Sequence, residues 1–247
     1  IVSMAENKCK IKVKNVSKTF GNVEVLKDVS FDVYENEFLV ILGPGQCGKT
    51  VLLNIMAEME QADQGSINFE GNDSKVGFVF QKYALYNWKT VEKNVQLPLK
   101  FAGVNKKERK ERAQKYIDMV GLTGFEKNYP AQISGGMKQR VGIARAYTAG
   151  HNIILMDEPF GALDAQTRYQ MQDQLLKIRN AEKTTIVFVT NNIEEAIYLG
   201  DRILLFSNKP STVVKEFVPN LERPRNNASD DFMKLRNIIT QEMDISL

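Results

Sequence analysis

Gly43-Pro44-Gly45-Gln46-Cys47-Gly48-Lys49-Thr50 fits the pattern G-x-x-x-x-G-K-[ST]. Glycines let the backbone wrap so that N–H groups converge on phosphate oxygens. A helix beginning at the loop adds its positive end. Lys49 has the reach for the β- and γ-phosphates of a nucleoside triphosphate, and the Thr50 hydroxyl suits a Mg²⁺ ligand. Val51 carries the loop into the helix. Cys47 reads as a small side chain filling a tight loop, with a helix-activated, nucleotide-protected thiol as the alternative. Further on, Ile153-Ile154-Leu155-Met156-Asp157-Glu158-Pro159 places two carboxylates at the end of an apolar run. Asp157 suits the environment of a metal, and Glu158 suits a general base that polarises an attacking water. Between these motifs, Ser134-Gly135-Gly136-Met137-Lys138-Gln139-Arg140 opens a helical stretch with a second anion-receptive start.

Strands are needed to bring these groups to one edge. Phe38-Leu39-Val40-Ile41-Leu42 is a continuous apolar run before Gly43, as in a buried parallel strand, and Val51 to Met59 reads as the helix after the loop. Ile11, Val13 and Val16, then Val29 to Val33, alternate as half-buried strands. Val76–Phe80, Ile153–Met156, Thr185–Val189 and Ile203–Phe206 are further short strands. Helices are expected through Met171, Leu175 and Ile178, over Ile193 to Leu199, and around Phe232 to Met243. From about Lys82 to Tyr129 strand signals vanish. There Asn105 and Glu108 form a helix-start pair, Ala113, Tyr116, Ile117 and Val120 share a face, and Gly121 ends it. The expected fold is α/β, with a mostly parallel sheet and an inserted helical segment. In such sheets ligands gather outside the carboxyl ends of the strands, so the phosphate loop and the acidic pair are expected to share a site.

Bulk properties set bounds. Across 247 residues the chain is 43% hydrophobic and 26% charged, an ordinary globular balance. A net charge of +3, with Lys106 to Arg112 alternating in sign, gives no basic face for nucleic acid. Two cysteines, Cys9 and Cys47, make no disulfide framework and point to a reducing compartment. No apolar run approaches the roughly 18 residues of a membrane span. Ile1 to Lys12 lacks the hydrophobic stretch of a signal peptide, and Ile1-Val2-Ser3 precede the first methionine, Met4.

Taken in this order, the three motifs resemble the ATPase subunit of ABC transporters. That resemblance implies a P-loop NTPase (RecA-like) core, residues 1–81 and 150–217, with an N-terminal antiparallel β subdomain. It also implies a helical subdomain at about 82–149 and a tail at 218–247. Two chains then face head to tail, and Ser134, Gly135 and Gly136 close on the nucleotide of the other chain. Gln81, after Val79-Phe80, resembles the Q-loop glutamine that touches Mg²⁺ and the attacking water. Gly161-Ala162-Leu163-Asp164 resembles the D-loop, and Phe20 aligns with the aromatic that stacks on adenine. The implied cofactors are ATP and Mg²⁺.

The pattern departs in places. Met137 stands where the signature usually has Gln. After Val189-Thr190, Asn191 stands where the family has a histidine facing the γ-phosphate, and the only histidine, His151, is out of frame for that role. Asparagine can donate a hydrogen bond but cannot carry charge or shuttle a proton. ATP binding is expected to be intact and turnover reduced.

The strings at 134–141 and 160–165 and the tail Arg223-Pro224-Arg225 resemble the nitrate/sulfonate/taurine importer group over nearly the full length. That implies a second ATPase subunit, a membrane permease and an external binding protein as partners, at the cytoplasmic face of a bacterial inner membrane. The implied cargo is nitrate, a sulfonate, taurine or a related small molecule. Tyr83, Leu85, Tyr86 and Trp88 fall where the family docks its permease, with an inter-lobe core as the alternative. A weakly hydrolysing regulatory subunit and a soluble non-transport ABC ATPase remain the other readings. Against the soluble reading, the sequence shows no long heptad-bearing insertion and no second nucleotide cassette in tandem. A GTPase is disfavoured because Asn208-Lys209-Pro210-Ser211 lacks the guanine-reading acid.

Overall fold

The structure is a computed structural model that describes residues 8–71 and 75–245. The segment ahead of Met4 lies outside the described residues. The chain divides into two compact units: the described residues of Ile1–Ser74 with Thr185–Leu247, and those of Lys75–Thr184.

The first unit holds two sheets. Strands β1 (Cys9–Phe20) and β2 (Val23–Tyr34) pair antiparallel, and β4 (Gln64–Phe69) adds to the other edge of β1. Val13, Val16, Val29 and Val33 supply its buried face. A bulge at Asn15 (φ +50°) requires Gly65 opposite it, where a Cβ would lie 2.3 Å from the Asn15 carbonyl oxygen. Strand β3 (Phe38–Leu42) is buried along its whole length, as its unbroken apolar run predicts. It runs parallel to β7 (Thr185–Thr190) on one side and β8 (Arg202–Phe206) on the other, and β9 (Val213–Phe217) closes the edge antiparallel to β8. Helices α1 (Lys49–Met56), α7 (Ile193–Leu199) and α8 (Asp230–Ile245) complete this unit.

The helix expected at Val51 to Met59 begins earlier and ends sooner. Gly48 caps it, so Lys49 is already helical, and Glu58 at φ +58° has left it. β4 and β9 escaped the sequence pattern because their apolar signal is short: β4 alternates only at Ile67 and Phe69 and has no fully buried residue, and β9 buries only Phe217. Between the sheets' strands lies a buried ion pair. Arg202 Nε donates to Glu37 Oε1 at 2.6 Å, and Arg202 Nη1 reaches Glu216 at 3.1 Å. Burial pushes the Glu37 carboxyl above its usual value, and the arginine pulls it back.

The second unit pairs β5 (Gly77–Val79) parallel to β6 (Ile153–Asp157). Its helices are α2 (Val91–Val95), α3 (Leu97–Phe101), α4 (Lys106–Met119), α5 (Gly135–Thr148) and α6 (Ala165–Glu182). The α4 start is the expected one: Asn105 Oδ1 accepts from Glu108 N at 3.0 Å, Ala113, Tyr116, Ile117 and Val120 are buried, and Gly121 leaves at φ +68°.

Removing one partner of a buried ion pair costs on the order of 3–5 kcal/mol. Arg202→Met should therefore lower the urea midpoint by a corresponding amount. The Glu37→Gln/Arg202→Met double variant should recover part of the loss, because no charge is then left buried alone.

Candidate functional site

In the first unit the phosphate loop leaves the end of β3. The Gly43 amide donates to the Thr190 carbonyl at 3.4 Å, so the loop starts beside the end of β7. Two positions force its shape. Gln46 sits at φ +63°, and Gly48 at φ +120°, where a Cβ would meet Val25 Cγ1 at 2.8 Å. Gly43 has no more room: a Cβ there would be 3.0 Å from Phe206 Cβ and 3.1 Å from Cys47 Sγ. Cys47 is 2% exposed and packs inside the loop, the filler role, with Lys49 Nζ 3.8 Å from its sulfur.

Lys49 Nζ turns into the loop and donates to the Gly43 and Pro44 carbonyls at 2.9 and 2.7 Å. Phosphate oxygens are stronger, charge-assisted acceptors than these neutral carbonyls. Thr50 and Val51 lie in the first turn of α1, with Thr50 exposed. Gly45 has open space where a side chain would be, so its backbone is accessible. This cradle, a helix start and a hydroxyl fit a triphosphate with its divalent cation. Ser211 supports it from a distance of 164 residues in sequence: its buried hydroxyl lies 2.6 Å from the Cys47 carbonyl. No local signal reveals that role, since Ser211 sits in an irregular stretch.

Asn191 follows Thr190, which pairs with Leu42 at the end of β3, so the asparagine stands at the strand end beside the phosphate loop. Its side chain is exposed there. Phe20, at the end of β1, is 45% exposed, which fits a stacking face rather than a core phenylalanine. Lys18 Nζ lies 5.0 Å from its ring centroid. That ammonium is held by Glu60 at 2.9 Å and Asp63 at 3.3 Å, while Asp63 also accepts from the Thr19 amide at 2.7 Å. Hydrogen bonding to Glu60 raises the lysine's pKa, and the Thr19 amide lowers that of Asp63.

In the second unit β6 is buried throughout and ends at Asp157, itself buried. Glu158 turns out of the strand at φ +39°, and Gln81 Nε2 donates to its Oε2 at 3.1 Å. Gln81 and Glu158, the two residues expected to face the attacking water, are thus brought together. Ser134 caps α5 by accepting from the Met137 amide at 3.3 Å. Asp164 caps α6 by accepting from the Thr167 amide at 3.0 Å, and that amide holds its carboxyl below the usual range. The two helix starts approach each other: a Cβ on Gly136 would lie 2.9 Å from Thr167 Cγ2, and one on Gly135 would lie 2.7 Å from the Tyr83 hydroxyl. Side chains at Gly135 and Gly136 would thus displace Tyr83 and Thr167, so the two glycines also keep this helix start closely packed.

The aromatic segment is a surface. Trp88 is 72% exposed and Phe101 79%, and Tyr86 meets Trp88 edge-on at 5.3 Å. Beside them Phe78, Phe80, Tyr86, Leu97, Pro98 and Phe101 line a groove of about 400 Å³. Buried Asn94 fixes its rim by bonding the backbone of Tyr86, Lys89 and Thr90. No helix among the described residues is long and apolar enough to cross a membrane.

Comparison with known proteins agrees with this geometry. The ABC transporter family model matches residues 26–161. An uncharacterized ABC transporter ATP-binding protein of Methanocaldococcus jannaschii is 46% identical over 96% of this chain and 93% of its own length. The aliphatic sulfonates import ATP-binding protein SsuB of Bacillus anthracis is 41% identical over 95% of this chain and 96% of its own. Among solved structures, the dimeric MJ0796, a bacterial ABC transporter cassette, superposes with a TM-score of 0.76 at 34% identity, covering 85% of this chain and 99% of the other. The same cassette is known in a dimeric post-hydrolysis state bound to ADP and Pi. The chain belongs to the ABC transporter family and is an ATP-binding, ATP-hydrolysing subunit of it.

A residue forced into the backbone region of Gly48 costs about 1–3 kcal/mol. Gly48→Ala should weaken ATP binding by about tenfold to a hundredfold, read by titration calorimetry. Unchanged affinity would mean that the loop does not carry the phosphates.

Proposed function

We propose that this ABC transporter subunit powers import of nitrate, an aliphatic sulfonate, taurine or a related small molecule. The observation that carries the cargo reading is the likeness, over nearly the whole chain, to subunits named for aliphatic sulfonate import. The working form is a pair of ATPase subunits docked to a permease at the cytoplasmic face of the membrane, with an external binding protein delivering the cargo. The exposed groove at Phe80, Tyr86 and Phe101 supports a partner surface of this kind, since aromatic anchors dominate such interfaces.

The proposed division is an α/β core of residues 1–81 and 150–217, a helical subdomain at about 82–149 and a tail at 218–247. Phe20 stacks on adenine. Gly43 to Val51 hold the phosphates, with the Lys49 ammonium exchanging loop carbonyls for phosphate oxygens. Thr50, Gln81 and Asp157 hold Mg²⁺, which neutralises phosphate charge when bound. Glu158 takes the proton of the attacking water, and Gln81, already bonded to Glu158, orients it. Ser134, Gly135, Gly136 and Asp164 serve the nucleotide of the partner subunit. Asn191 donates to the γ-phosphate without the charge a histidine would bring, so turnover is slowed on the order of tenfold to a thousandfold.

Two substitutions test these roles. Glu158→Gln should lower kcat by about 10²–10⁴-fold, the contribution of a positioned general base, while leaving the ATP Kd unchanged. Asn191→His should raise kcat, and a fall in rate would refute the switch reading. The cargo is tested by reconstituting the subunit with its permease and binding protein in vesicles. ATPase stimulation by an aliphatic sulfonate is the expected result. Purification without any permease, or indifference to sulfonate, taurine and nitrate alike, would favour a soluble ATPase.

A further inference from the structure

Helix α7 has seven residues, and isolated helices below about 12–15 residues are marginal in water. Its position is set from outside. At its start, Asn192 Oδ1 accepts from the Glu195 amide at 3.1 Å. The buried Glu195 carboxylate accepts from Thr190 Oγ1 at 2.6 Å, and Thr190 Oγ1 accepts from the Asn192 amide at 3.0 Å. These bonds close the 190–192 turn, whose middle residue is Asn191.

The other end is unusual. A helix leaves its last four carbonyls without intrahelical partners. In α7 the Ala196 carbonyl takes the Gly200 amide at 2.9 Å. The remaining three are taken by two arginines of the tail. Arg225 Nη1 donates to the Ile197 carbonyl, Arg223 Nη1 to that of Tyr198 at 3.3 Å, and Arg223 Nη2 to that of Leu199 at 2.6 Å. Arg225 also reaches the Gly200 and Pro219 carbonyls at 2.6 and 3.2 Å. Two positive charges therefore sit on the negative end of the helix. Arg223 goes on to pair with Asp201 at 2.7 Å, and the other Asp201 oxygen accepts from the Phe38 amide at the first residue of β3. Helix α8 adds an ion pair from Arg236 to Glu194 at 3.3 Å, in the first turn of α7.

From this arrangement we infer that Arg223 and Arg225 are positioning residues for ATP hydrolysis. Both hold the C-terminal end of α7, Arg223 tying it through Asp201 to β3 and Arg225 to the Gly200 and Pro219 carbonyls, and through the rigid helix they fix the turn that presents Asn191 beside the phosphate loop. Only arginine has the fixed fork of donors that can serve several carbonyls at once. The phosphate loop is built from Gly43 to Thr50 and does not use these contacts, so binding is spared when they are lost. The inference rests on the reading of Asn191 as a γ-phosphate contact.

The test uses the full chain with Arg225→Lys, Arg223→Gln, Asn191→Ala and the Asn191→Ala/Arg225→Lys double variant. Displacing a reacting contact by about 1 Å costs on the order of 100-fold, so each arginine variant should lose at least about tenfold in kcat. Its ATP Kd, from fluorescent-nucleotide titration, should stay within about twofold. In the Asn191→Ala background, Arg225→Lys should change kcat by less than about twofold, because the contact it positions is already gone. If Asn191→Ala turns over at the parent rate, the Asn191 reading itself fails. If Asn191→Ala is slow but the arginine variants keep the parent kcat, or their losses multiply with that of Asn191→Ala, the clamp is only structural and the inference is overturned. Arg223 is partly exposed, so Arg223→Gln, with Asn191→Ala/Arg223→Gln, carries the same test should Arg225→Lys fail to fold.

Discussion

Gly48 is the position on which the site depends. Its φ of +120° and the Val25 methyl group 2.8 Å from where a Cβ would be leave only glycine, and this is where the chain passes from the loop into α1. With the backbone fixed there, Lys49 must enter the helix with its ammonium turned back into the loop, and Thr50 must follow in the first turn. The completely buried β3 gives this turn a rigid origin, because parallel strands on both of its sides leave it no freedom to slide. The chemistry of the loop is thus a consequence of close packing behind it.

The same device recurs at the other candidate groups. Asn192, Ser134 and Asp164 each spend a side-chain oxygen on an amide of the first helical turn. In each case a residue of proposed function sits in or just before the capped turn, at Asn191, at Gly135 and Gly136, or at Asp164 itself. Helix starts combine amide donors with a favourable dipole, so a cap that fixes the start also fixes the direction in which anions are received. The tail arginines extend this logic to a helix end, where carbonyls replace amides and cations replace anions.

Phe20 shows how a weakly specific residue becomes a specific one. An aromatic at a strand end is common. Here Lys18 lies under the ring, and Glu60 and Asp63 hold both that ammonium and the backbone that carries the ring. A half-exposed ring with a cation on its underside is anchored without being buried, which leaves a face free to stack.

Much of this was legible in the residues. The G-x-x-x-x-G-K-T loop, the apolar run ending in Asp157-Glu158, the Asn105 cap and the unbroken runs of β3 and β7 are local patterns, and local sterics and hydrogen bonding suffice to read them. Exposure of Trp88 and Tyr86 was not legible, since an aromatic segment packs equally well inside or out until its neighbours are known. Nor were β4 and β9, in which Phe217 is the one buried residue. Ser211 under the loop, Arg202 on Glu37 and Arg223 with Arg225 on α7 came only from the tertiary structure. Each joins segments far apart in the chain through hydrogen bonds to backbone carbonyls or a single buried charge, and such pairings leave no periodicity, spacing or composition in the sequence for a reader to find.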